Sequence, residues 1–273
     1  MTQPLSAKLA SLEKMLSDMQ SILIAYSGGT DSTFLLKVAA KVLGDRAVAV
    51  TASSETYTAQ ELRDAKKHAE EIGAQHVIVH TNELEDPQFA ANPPDRCYYC
   101  KKELFSKLTE LKKRHGLNYI VDGSTVDDEK DFRPGMRAVV EFGVRSPLKD
   151  AGFMKDDIRK LSKEMNLPTW DKPPLPCLST RFPYGTEITK EKVARVARAE
   201  EFLSGFGIRQ LRVRDHGNIA RIEVTHADMP IFIDEGISKL IAEKLKSLGY
   251  AYVTLDVEGY RMGSMNEPLK EKK

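Results

Sequence analysis

A short loop near the N-terminus carries residue types that can bind a phosphate chain. Its glycines let backbone N–H groups approach an anion, and the helix expected after it presents unpaired amides and the positive end of its dipole. Two serines add hydroxyl donors, and an aspartate is placed to hold the Mg²⁺ that accompanies ATP. The loop therefore predicts a site for the pyrophosphate part of ATP, and we call it the phosphate loop. It consists of Ser27, Gly28, Gly29, Thr30, Asp31 and Ser32.

The phosphate loop lacks the lysine of a Walker motif, because no Gly-Lys-Ser or Gly-Lys-Thr follows it. Transfer of the γ-phosphate in the usual P-loop manner is therefore disfavoured. The alternative interpretation is a glycine turn that only joins a strand to a helix. Four further residues follow other expected strands, at the edge where doubly wound sheets bind ligands. They are candidates for binding adenosine and the α-phosphate, and the alternative is that they are turn and capping residues. They are Thr51, Ser53, Glu55 and Gly123.

The chain has three cysteines, Cys97, Cys100 and Cys177. Cys97 and Cys100 open an expected helix, where the dipole favours thiolate ligands. Three thiolates can hold a 4Fe-4S cluster through three irons and leave one iron open for another ligand, which suggests sulfur transfer beside an ATP loop. A zinc finger is less suitable, since no second Cys-x-x-Cys or His pair occurs. Three unrelated thiols, a catalytic disulfide between Cys97 and Cys100, and zinc remain the alternatives.

Short apolar runs alternate with amphipathic helical stretches and position these residues. Strands are expected at 22–26, 47–51, 76–79 and 119–123, and helices at about 5–19, 32–43, 59–72 and 98–114. This alternation predicts an α/β fold with a doubly wound parallel sheet. A proline-rich, cysteine-bearing linker at 171–188 separates the domain 1–170 from a smaller C-terminal α+β domain at 189–273. That domain has expected helices near 190–206 and 238–248 and strands at 210–214, 219–224 and 252–257.

Composition excludes several classes of protein. Lys and Arg total 41 against 40 Asp and Glu, so the net charge of +1 supplies no long-range attraction for nucleic acid. No apolar run approaches the roughly 18 residues of a membrane span. Three cysteines are too few for a secreted disulfide framework. We therefore expect a cytoplasmic protein with reduced thiols and no membrane or nucleic-acid partner.

The whole chain resembles the LarE family, ATP-dependent sulfur transferases of nickel-pincer-nucleotide biosynthesis within the PP-loop ATP pyrophosphatase superfamily. The resemblance implies the adenine nucleotide alpha-hydrolase-like fold and a homo-oligomer whose C-terminal domain binds substrate and mediates oligomerisation. The motifs that carry it are the phosphate loop, Asp122-Gly123, Asp131-Phe132-Arg133-Pro134-Gly135, Ser179-Thr180-Arg181-Phe182-Pro183-Tyr184-Gly185, Leu211-Arg212-Val213-Arg214 and Ile222-Glu223.

The resemblance also implies the substrate and the reaction. The substrate would be pyridinium-3,5-biscarboxylic acid mononucleotide, whose carboxylates become thiocarboxylates for the nickel cofactor of lactate racemase. Each carboxylate would be adenylylated with loss of pyrophosphate, and a sulfur nucleophile would displace AMP. Lys101 would assist the α-phosphate or else face solvent. Positions matching the family's binding site for the substrate phosphate and ribose are Thr180, Arg181, Glu200, Arg212 and Arg214.

The source of sulfur differs between two branches of this family. In one, a single cysteine that corresponds to Cys177 gives up its own sulfur. In the other, three cysteines bind a 4Fe-4S cluster, and a sulfide resupplied from outside is delivered from it. This chain resembles the three-cysteine branch, because Cys97 and Cys100 are both present. The metal-binding acidic cluster of the single-cysteine branch is only partly matched, with Glu223 present and Ile231 at the downstream position.

Other functions are consistent with parts of the sequence. A 4Fe-4S-dependent tRNA-thiolating enzyme of the PP-loop superfamily also combines Cys-x-x-Cys with a third cysteine, although the near-neutral charge does not favour a polyanionic partner. The arginines of the C-terminal domain alternatively form a solvated basic strand edge. A non-catalytic nucleotide-binding protein would bind ATP without releasing AMP or pyrophosphate.

Overall fold

A computed structural model describes residues 4–130 and 133–270 of the chain. Asp131 and Phe132, part of one motif quoted above, lie outside the described residues. The chain divides into two compact units, the first formed by Met1–Asp86 and Asp95–Leu175 and the second by Pro87–Pro94 and Pro176–Lys273. The boundary after Leu175 lies within the linker predicted at 171–188, but the eight-residue segment Pro87–Pro94, which the sequence analysis assigned to the first domain, joins the second unit.

Helices and strands alternate along most of the chain. In order they are α1 (Leu5–Met19), β1 (Ile22–Ala25), α2 (Thr30–Leu43), β2 (Ala47–Ser53), α3 (Ala59–Ile72), β3 (Gln75–His80), α4 (Pro87–Ala90), α5 (Arg96–Arg114), β4 (Tyr119–Asp122), α6 (Met136–Glu141), α7 (Pro147–Asp150), α8 (Lys155–Glu164), α9 (Lys190–Ser204), β5 (Leu211–His216), β6 (Ile219–Val224), α10 (Glu235–Ser247), β7 (Tyr252–Leu255) and α11 (Glu267–Lys270). None of the helices described is long and apolar enough to cross a membrane.

The first unit is built on a four-stranded sheet in the order β3-β2-β1-β4. All neighbouring strands run parallel, so the predicted parallel sheet is confirmed. One face packs with α5 through Leu23, Phe105 and Leu108. The other face packs with α1 and α2 in a second core that includes Leu16 and Phe34. Because both faces are covered, the central strand is apolar throughout, as its sequence predicts.

The phosphate loop joins β1 to α2 at the carboxyl ends of the strands. β1 pairs with β2 on one side and with β4 on the other. The chain runs from β1 through β2 to β3 on one side of β1 and then crosses to β4 on the other side, so the strand order reverses between β1 and β4. Ligands of doubly wound folds bind at such a switch point. The fold therefore places the loop where a nucleotide site is expected.

The second unit contains the smaller α+β fold predicted for the C-terminal part. Its sheet has the order β5-β6-β7, with β5 antiparallel and β7 parallel to β6. Val213, Ile222 and Leu203 belong to its buried core. The segment Pro87–Pro94 binds to this unit through backbone contacts, since the Asn92 carbonyl accepts a 2.9 Å hydrogen bond from the Gly185 amide.

Candidate functional site

Two glycines allow the backbone of the phosphate loop to adopt its conformation. Gly28 has a φ of +69°, and a Cβ at this position would lie 2.9 Å from the Cβ of Ala65. A Cβ on Gly123, just after β4, would lie 3.1 Å from the amide nitrogen of Ser32. The approach at Gly28 is too close for a larger residue, and the approach at Gly123 would require a neighbouring atom to shift. The main role of Gly123 is therefore to let the phosphate loop pack closely against the end of β4.

The hydroxyls of the loop contact one another and leave the start of α2 open. Ser27 Oγ lies 3.2 Å from Ser32 Oγ, and Ser32 Oγ donates to the Gly29 carbonyl at 3.2 Å. Gly29 is the N-cap of α2 and has no side chain to cap that end, and its own amide donates to Ser27 Oγ at 3.4 Å. Helix amides without a cap are suited to an anion. The geometry therefore supports the predicted pyrophosphate site.

Asp31 occupies the first turn of α2 in an environment that penalises its charge. Burial raises the pKa of its carboxyl group to about 6, and the charge of Asp128 adds to this effect. The cationic side chains of Lys155 and Arg159 oppose the shift without cancelling it. A buried carboxylate in this condition gains from a bound cation. Asp31 therefore fits the predicted role as a ligand of Mg²⁺.

Asp128 anchors two cations near Asp31. Its Oδ1 lies 2.8 Å from Arg133 Nη2 and 3.1 Å from Lys155 Nζ. Its Oδ2 accepts a 2.9 Å hydrogen bond from the Thr125 amide. Burial opposes ionisation of this carboxyl, but the hydrogen bond and the two cations outweigh it, so its pKa is below the ordinary value. The sequence carries no local signal for this cluster, which only the fold assembles.

The candidates for adenosine binding divide into two groups. Thr51 Oγ1 donates to the Tyr26 carbonyl at 2.8 Å and lies 2.8 Å from His76 Nε2, so its hydroxyl joins neighbouring strands. Ser53 and Glu55 instead line a cavity of about 300 Å³ at the ends of β2 and β3. That volume is at the lower end of the range for small-molecule sites. Ser53 and Glu55 are thus better placed than the Thr51 hydroxyl to meet a ligand.

Lys101 lies near the phosphate loop although it belongs to α5. Its Nζ is 3.6 Å from Asp122 Oδ2, at the end of β4 next to Gly123. Asp122 is held by the Ser124 and Ser146 hydroxyls, which donate to it at 2.7 Å each. The ammonium group is thereby positioned at the edge of the sheet where the loop lies.

Cys97 and Cys100 lie in the first two turns of α5. Cys97 is exposed, Cys100 is partly buried, and both are thiols rather than a disulfide. A Cβ on Gly135 would lie 3.3 Å from the Cys97 carbonyl, so the segment before α6 packs directly on this turn. Residues spaced by three share one face of a helix. The pair can therefore bind a common group.

Cys177 belongs to the second unit and precedes the short helical turn Leu178–Arg181. It is a partly buried thiol. Within the described residues of either unit, no three His, Cys, Asp or Glu side chains are grouped as a metal site requires.

Arg181 is fixed by a two-point contact with Glu200. Its Nε and Nη2 donate to Glu200 Oε1 and Oε2 at 2.8 and 2.9 Å. A third nitrogen, Nη1, donates to Thr180 Oγ1 at 2.8 Å and to the Pro176 carbonyl at 2.9 Å. Glu200 also accepts the Val213 amide at 2.9 Å. These contacts bind the loop before Cys177 to α9 and β5, and they hold Thr180 in place.

Arg214 forms a buried ion pair with Glu223. Arg214 Nη2 donates to Glu223 Oε2 at 2.6 Å, and Ser264 Oγ donates to Oε1 at 3.1 Å. Arg221 Nη2 lies 3.1 Å from the same Oε1. Glu223 is fully buried. Two guanidinium groups around one carboxylate favour a counter-ion role and leave little charge for the metal role considered from the sequence.

The surroundings of Arg212 disfavour its positive charge. Its guanidinium lies over the ring of Tyr260, with Cζ 5.2 Å from the ring centroid. Burial and the nearby charge of Arg181 lower the pKa of Arg212 below its ordinary value, and Glu200 offsets this only in part. An anion beside Arg212 would relieve this penalty. Among the predicted phosphate ligands, Arg212 has the strongest physical reason to bind one.

Comparisons with known proteins show close relatives over almost the full chain. The chain is 46% identical to an uncharacterized protein of Synechocystis sp. over 97% of this chain and 99% of that protein. It is 42% identical to the pyridinium-3,5-bisthiocarboxylic acid mononucleotide synthase of Lactiplantibacillus plantarum over 97% of this chain and 96% of that protein. No protein-family model matches the chain.

A more distant similarity covers about two thirds of the chain. One subunit of the glutamine-hydrolysing GMP synthase of Thermoplasma volcanium is 28% identical over 63% of this chain and 59% of that subunit. This similarity supports membership of the PP-loop superfamily, in agreement with the parallel sheet and the phosphate loop described above.

Proposed function

Because the chain belongs to the LarE family, we propose that it converts the carboxylates of pyridinium-3,5-biscarboxylic acid mononucleotide into thiocarboxylates in an ATP-dependent reaction. The 42% identity to a synthase of the corresponding bisthiocarboxylic product, over 97% of the chain, supports this substrate. The observation that carries the ATP-dependent step is the phosphate loop, whose Gly28 packs against Ala65, whose Ser32 amide packs against Gly123, and whose Asp31 is suited to a cation.

The first step is adenylylation of a substrate carboxylate. The amides at the start of α2 bind the β- and γ-phosphates, and Asp31 would hold the accompanying Mg²⁺. A carboxylate oxygen attacks the α-phosphorus, the bond from that phosphorus to the bridging oxygen breaks, and pyrophosphate leaves with the electron pair. Lys101, positioned by Asp122 at 3.6 Å, would stabilise the charge that develops on the α-phosphate.

The second step replaces oxygen by sulfur. A sulfur nucleophile attacks the carbonyl carbon of the acyl-adenylate, and the C–O bond to AMP breaks. AMP is a stable leaving anion, whereas an unactivated carboxylate would have to expel oxide or hydroxide. Two such cycles convert both carboxylates.

Sulfur delivery is proposed to depend on Cys97, Cys100 and Cys177. These thiols would hold a 4Fe-4S cluster, which when bound supplies an open iron for a sulfide provided by an external donor. The thiol state of all three cysteines and the shared helix face of the first two fit this group. Direct loss of sulfur from Cys177 is the alternative.

The second unit is proposed to bind the nucleotide substrate. Arg212 is suited to the phosphate because burial and Arg181 penalise its charge, with Arg214 and Thr180 beside it and Arg181 fixed by Glu200. We also propose that the protein is a homo-oligomer, on the strength of the family resemblance.

The reaction is tested by incubating the purified protein with MgATP, the nucleotide dicarboxylate and inorganic sulfide under anaerobic conditions. The proposal expects equal amounts of AMP and pyrophosphate and a product in which sulfur replaces oxygen. ATP binding without release of either product would overturn the enzymatic assignment.

The sulfur source is tested separately by metal analysis and by mass spectrometry after turnover. A brown protein with about four irons per chain and an intact Cys177 supports delivery through a cluster. A colourless, zinc-loaded protein whose Cys97→Ala variant keeps full activity contradicts the cluster. Loss of the elements of hydrogen sulfide at Cys177 would instead indicate sacrifice of that residue.

A further inference from the structure

A lysine far from the phosphate loop in sequence contacts it in the first unit. Lys172 Nζ lies 3.4 Å from the Gly28 carbonyl and 3.4 Å from Asp64 Oδ2. The segment that carries this lysine is also bound to the loop, because Thr30 Oγ1 donates to the Thr169 carbonyl at 2.7 Å. The end of the first unit thus lies directly against the predicted pyrophosphate site.

The backbone around Lys172 is held by Arg159 of α8. Arg159 Nη1 donates to the Trp170 carbonyl at 2.8 Å, and its Nη2 donates to the Lys172 carbonyl at 3.0 Å. These contacts fix the origin of the Lys172 side chain while its four-carbon stem keeps rotational freedom. The ammonium group can therefore change partners near the loop without movement of the backbone.

The present contacts of the ammonium group are weak. Both distances of 3.4 Å are near the upper limit for a hydrogen bond. An ammonium group has three donors, and the side chain of Asp64 is 31% exposed, so solvent screens that pair. Lys172 is thus a mostly buried cation, 19% exposed, whose charge is only partly compensated. A phosphate oxygen would be a stronger partner than either present one.

We propose that Lys172 binds the terminal phosphates of ATP and holds the pyrophosphate product, in place of the lysine that the phosphate loop itself lacks. This rests on the proposed function in that it requires ATP to bind at this loop. The ammonium group leaves Asp64 and contacts a phosphate oxygen. As the bond from the α-phosphorus breaks, negative charge grows on the pyrophosphate, where Lys172 stabilises it.

Binding of three ligands to a Lys172→Met variant tests this role. Titration calorimetry with Mg²⁺ would measure the dissociation constants of ATP, inorganic pyrophosphate and AMP. Loss of a hydrogen bond to a charged group predicts weaker binding of ATP and pyrophosphate by roughly ten- to a hundred-fold. AMP lacks the terminal phosphates, so its affinity should stay within about two-fold of the wild-type value.

Three further variants separate a ligand role from a structural one. Lys172→Arg retains the charge and should keep most of the ATP affinity. Asp64→Asn removes the competing carboxylate and should leave ATP affinity unchanged or stronger. Lys41→Met is the matched control, because Lys41 is an exposed lysine paired with Glu13 at the other end of α2, and its loss should alter none of the three affinities.

Two results would overturn the role of Lys172. The first is an unchanged affinity of Lys172→Met for ATP and pyrophosphate. The second is an equal loss of AMP and ATP binding with a lowered melting temperature, which indicates damage to the loop. Failure of the proposed function can be distinguished from failure of the role of Lys172. If the wild-type protein binds ATP and pyrophosphate through Lys172 but forms no thiocarboxylate, only the proposed reaction is contradicted.

Discussion

The phosphate loop of the first unit and the arginine cluster of the second, formed by Arg181, Arg212 and Arg214, both place charge in buried or partly buried surroundings. The two regions compensate that charge differently. In the second unit, Arg214 and Glu223 form an internal ion pair that excludes solvent. In the first, burial raises the pKa of Asp31 to about 6, and the contacts of Lys172 with Gly28 and Asp64 are long. The Arg214–Glu223 pair is compensated within the chain, whereas we propose that a ligand compensates the charges at the phosphate loop.

This difference separates buried charges that maintain the fold from buried charges that are suited to bind a ligand. A buried ion pair stabilises the fold only while both charges are present, because removal of one partner leaves the other charge buried without a counter-charge or water. A buried charge without a full counter-charge lowers the stability of the folded protein until a ligand compensates it. Arg212 is the exception in the second unit, since its pKa is lowered like that of a group suited to an anion. The variants below test the contrast through the free energy of unfolding, from the largest expected change to the smallest.

Glu223→Gln should cause the largest loss of stability. The substitution leaves Arg214 and Arg221 beside a neutral amide in a fully buried position, and breaking such a pair costs roughly 3–5 kcal/mol. Urea unfolding measures this loss. Glu258→Gln is the matched control, since Glu258 is 68% exposed beside Arg261, and it should cost less than about 1 kcal/mol. Equal losses in both variants would contradict the internal balance of the cluster.

Gly28→Ala should destabilise the first unit and abolish ATP binding. The new methyl group would meet Ala65 at 2.9 Å in a left-handed backbone conformation, at a cost of roughly 2–4 kcal/mol. Gly73→Ala tests the cost of the left-handed backbone alone, because Gly73 also has a positive φ of +78° but nothing lies within 4 Å of its Cβ position. That control should cost about 1–2 kcal/mol and leave ATP binding intact. Thermal unfolding with and without MgATP distinguishes the two.

Asp31→Asn should stabilise the protein in the absence of metal while it eliminates AMP formation. The folded state raises the pKa of Asp31 from 3.8 to about 6, so the ionised carboxylate reduces stability, and this penalty grows as pH rises from about 4 to 6. The gain in the variant should therefore be on the order of 1–3 kcal/mol at pH 8 and absent below pH 4.

The measurement for Asp31→Asn is urea unfolding in EDTA at pH 4 and pH 8, next to the wild-type protein. Asp18→Asn is a suitable control, because it removes a carboxylate from the exposed side of α1. A variant that is less stable than wild type at pH 8 would show that Asp31 is already compensated within the chain.

Lys101→Met should change stability least of the four. The contact with Asp122 is long, at 3.6 Å, and the lysine side chain is 33% exposed, so its loss should cost less than about 1 kcal/mol. AMP formation should nevertheless fall, with little change in ATP affinity, if the ammonium acts on the developing charge of the α-phosphate. A loss of ATP affinity equal to the loss in rate would assign Lys101 to ground-state binding instead.

Much of the fold followed from local sequence patterns. The bounds of α1 and α3 agree with those predicted from apolar periodicity and a terminal glycine. The two glycines of the phosphate loop are also a local signal, since a tight turn before a helix restricts the residue types allowed. The segment Pro87–Pro94 lacks such a signal. It belongs to the second unit through hydrogen bonds of Asn92, whose carbonyl accepts from the Gly185 amide and whose side-chain amide donates to the Pro183 carbonyl.

Short stretches of the chain predict the alternating strands and helices of the parallel sheet, and they show the position of the phosphate loop and the three cysteines. The tertiary structure sets which charges are compensated, because it brings distant residues into contact. It paired Arg214 with Glu223, surrounded Asp31 with a partly opposing set of charges, and brought Lys172 to Gly28 across 144 positions. Burial and distance set the free energy of a charge, and neither is a property of local sequence.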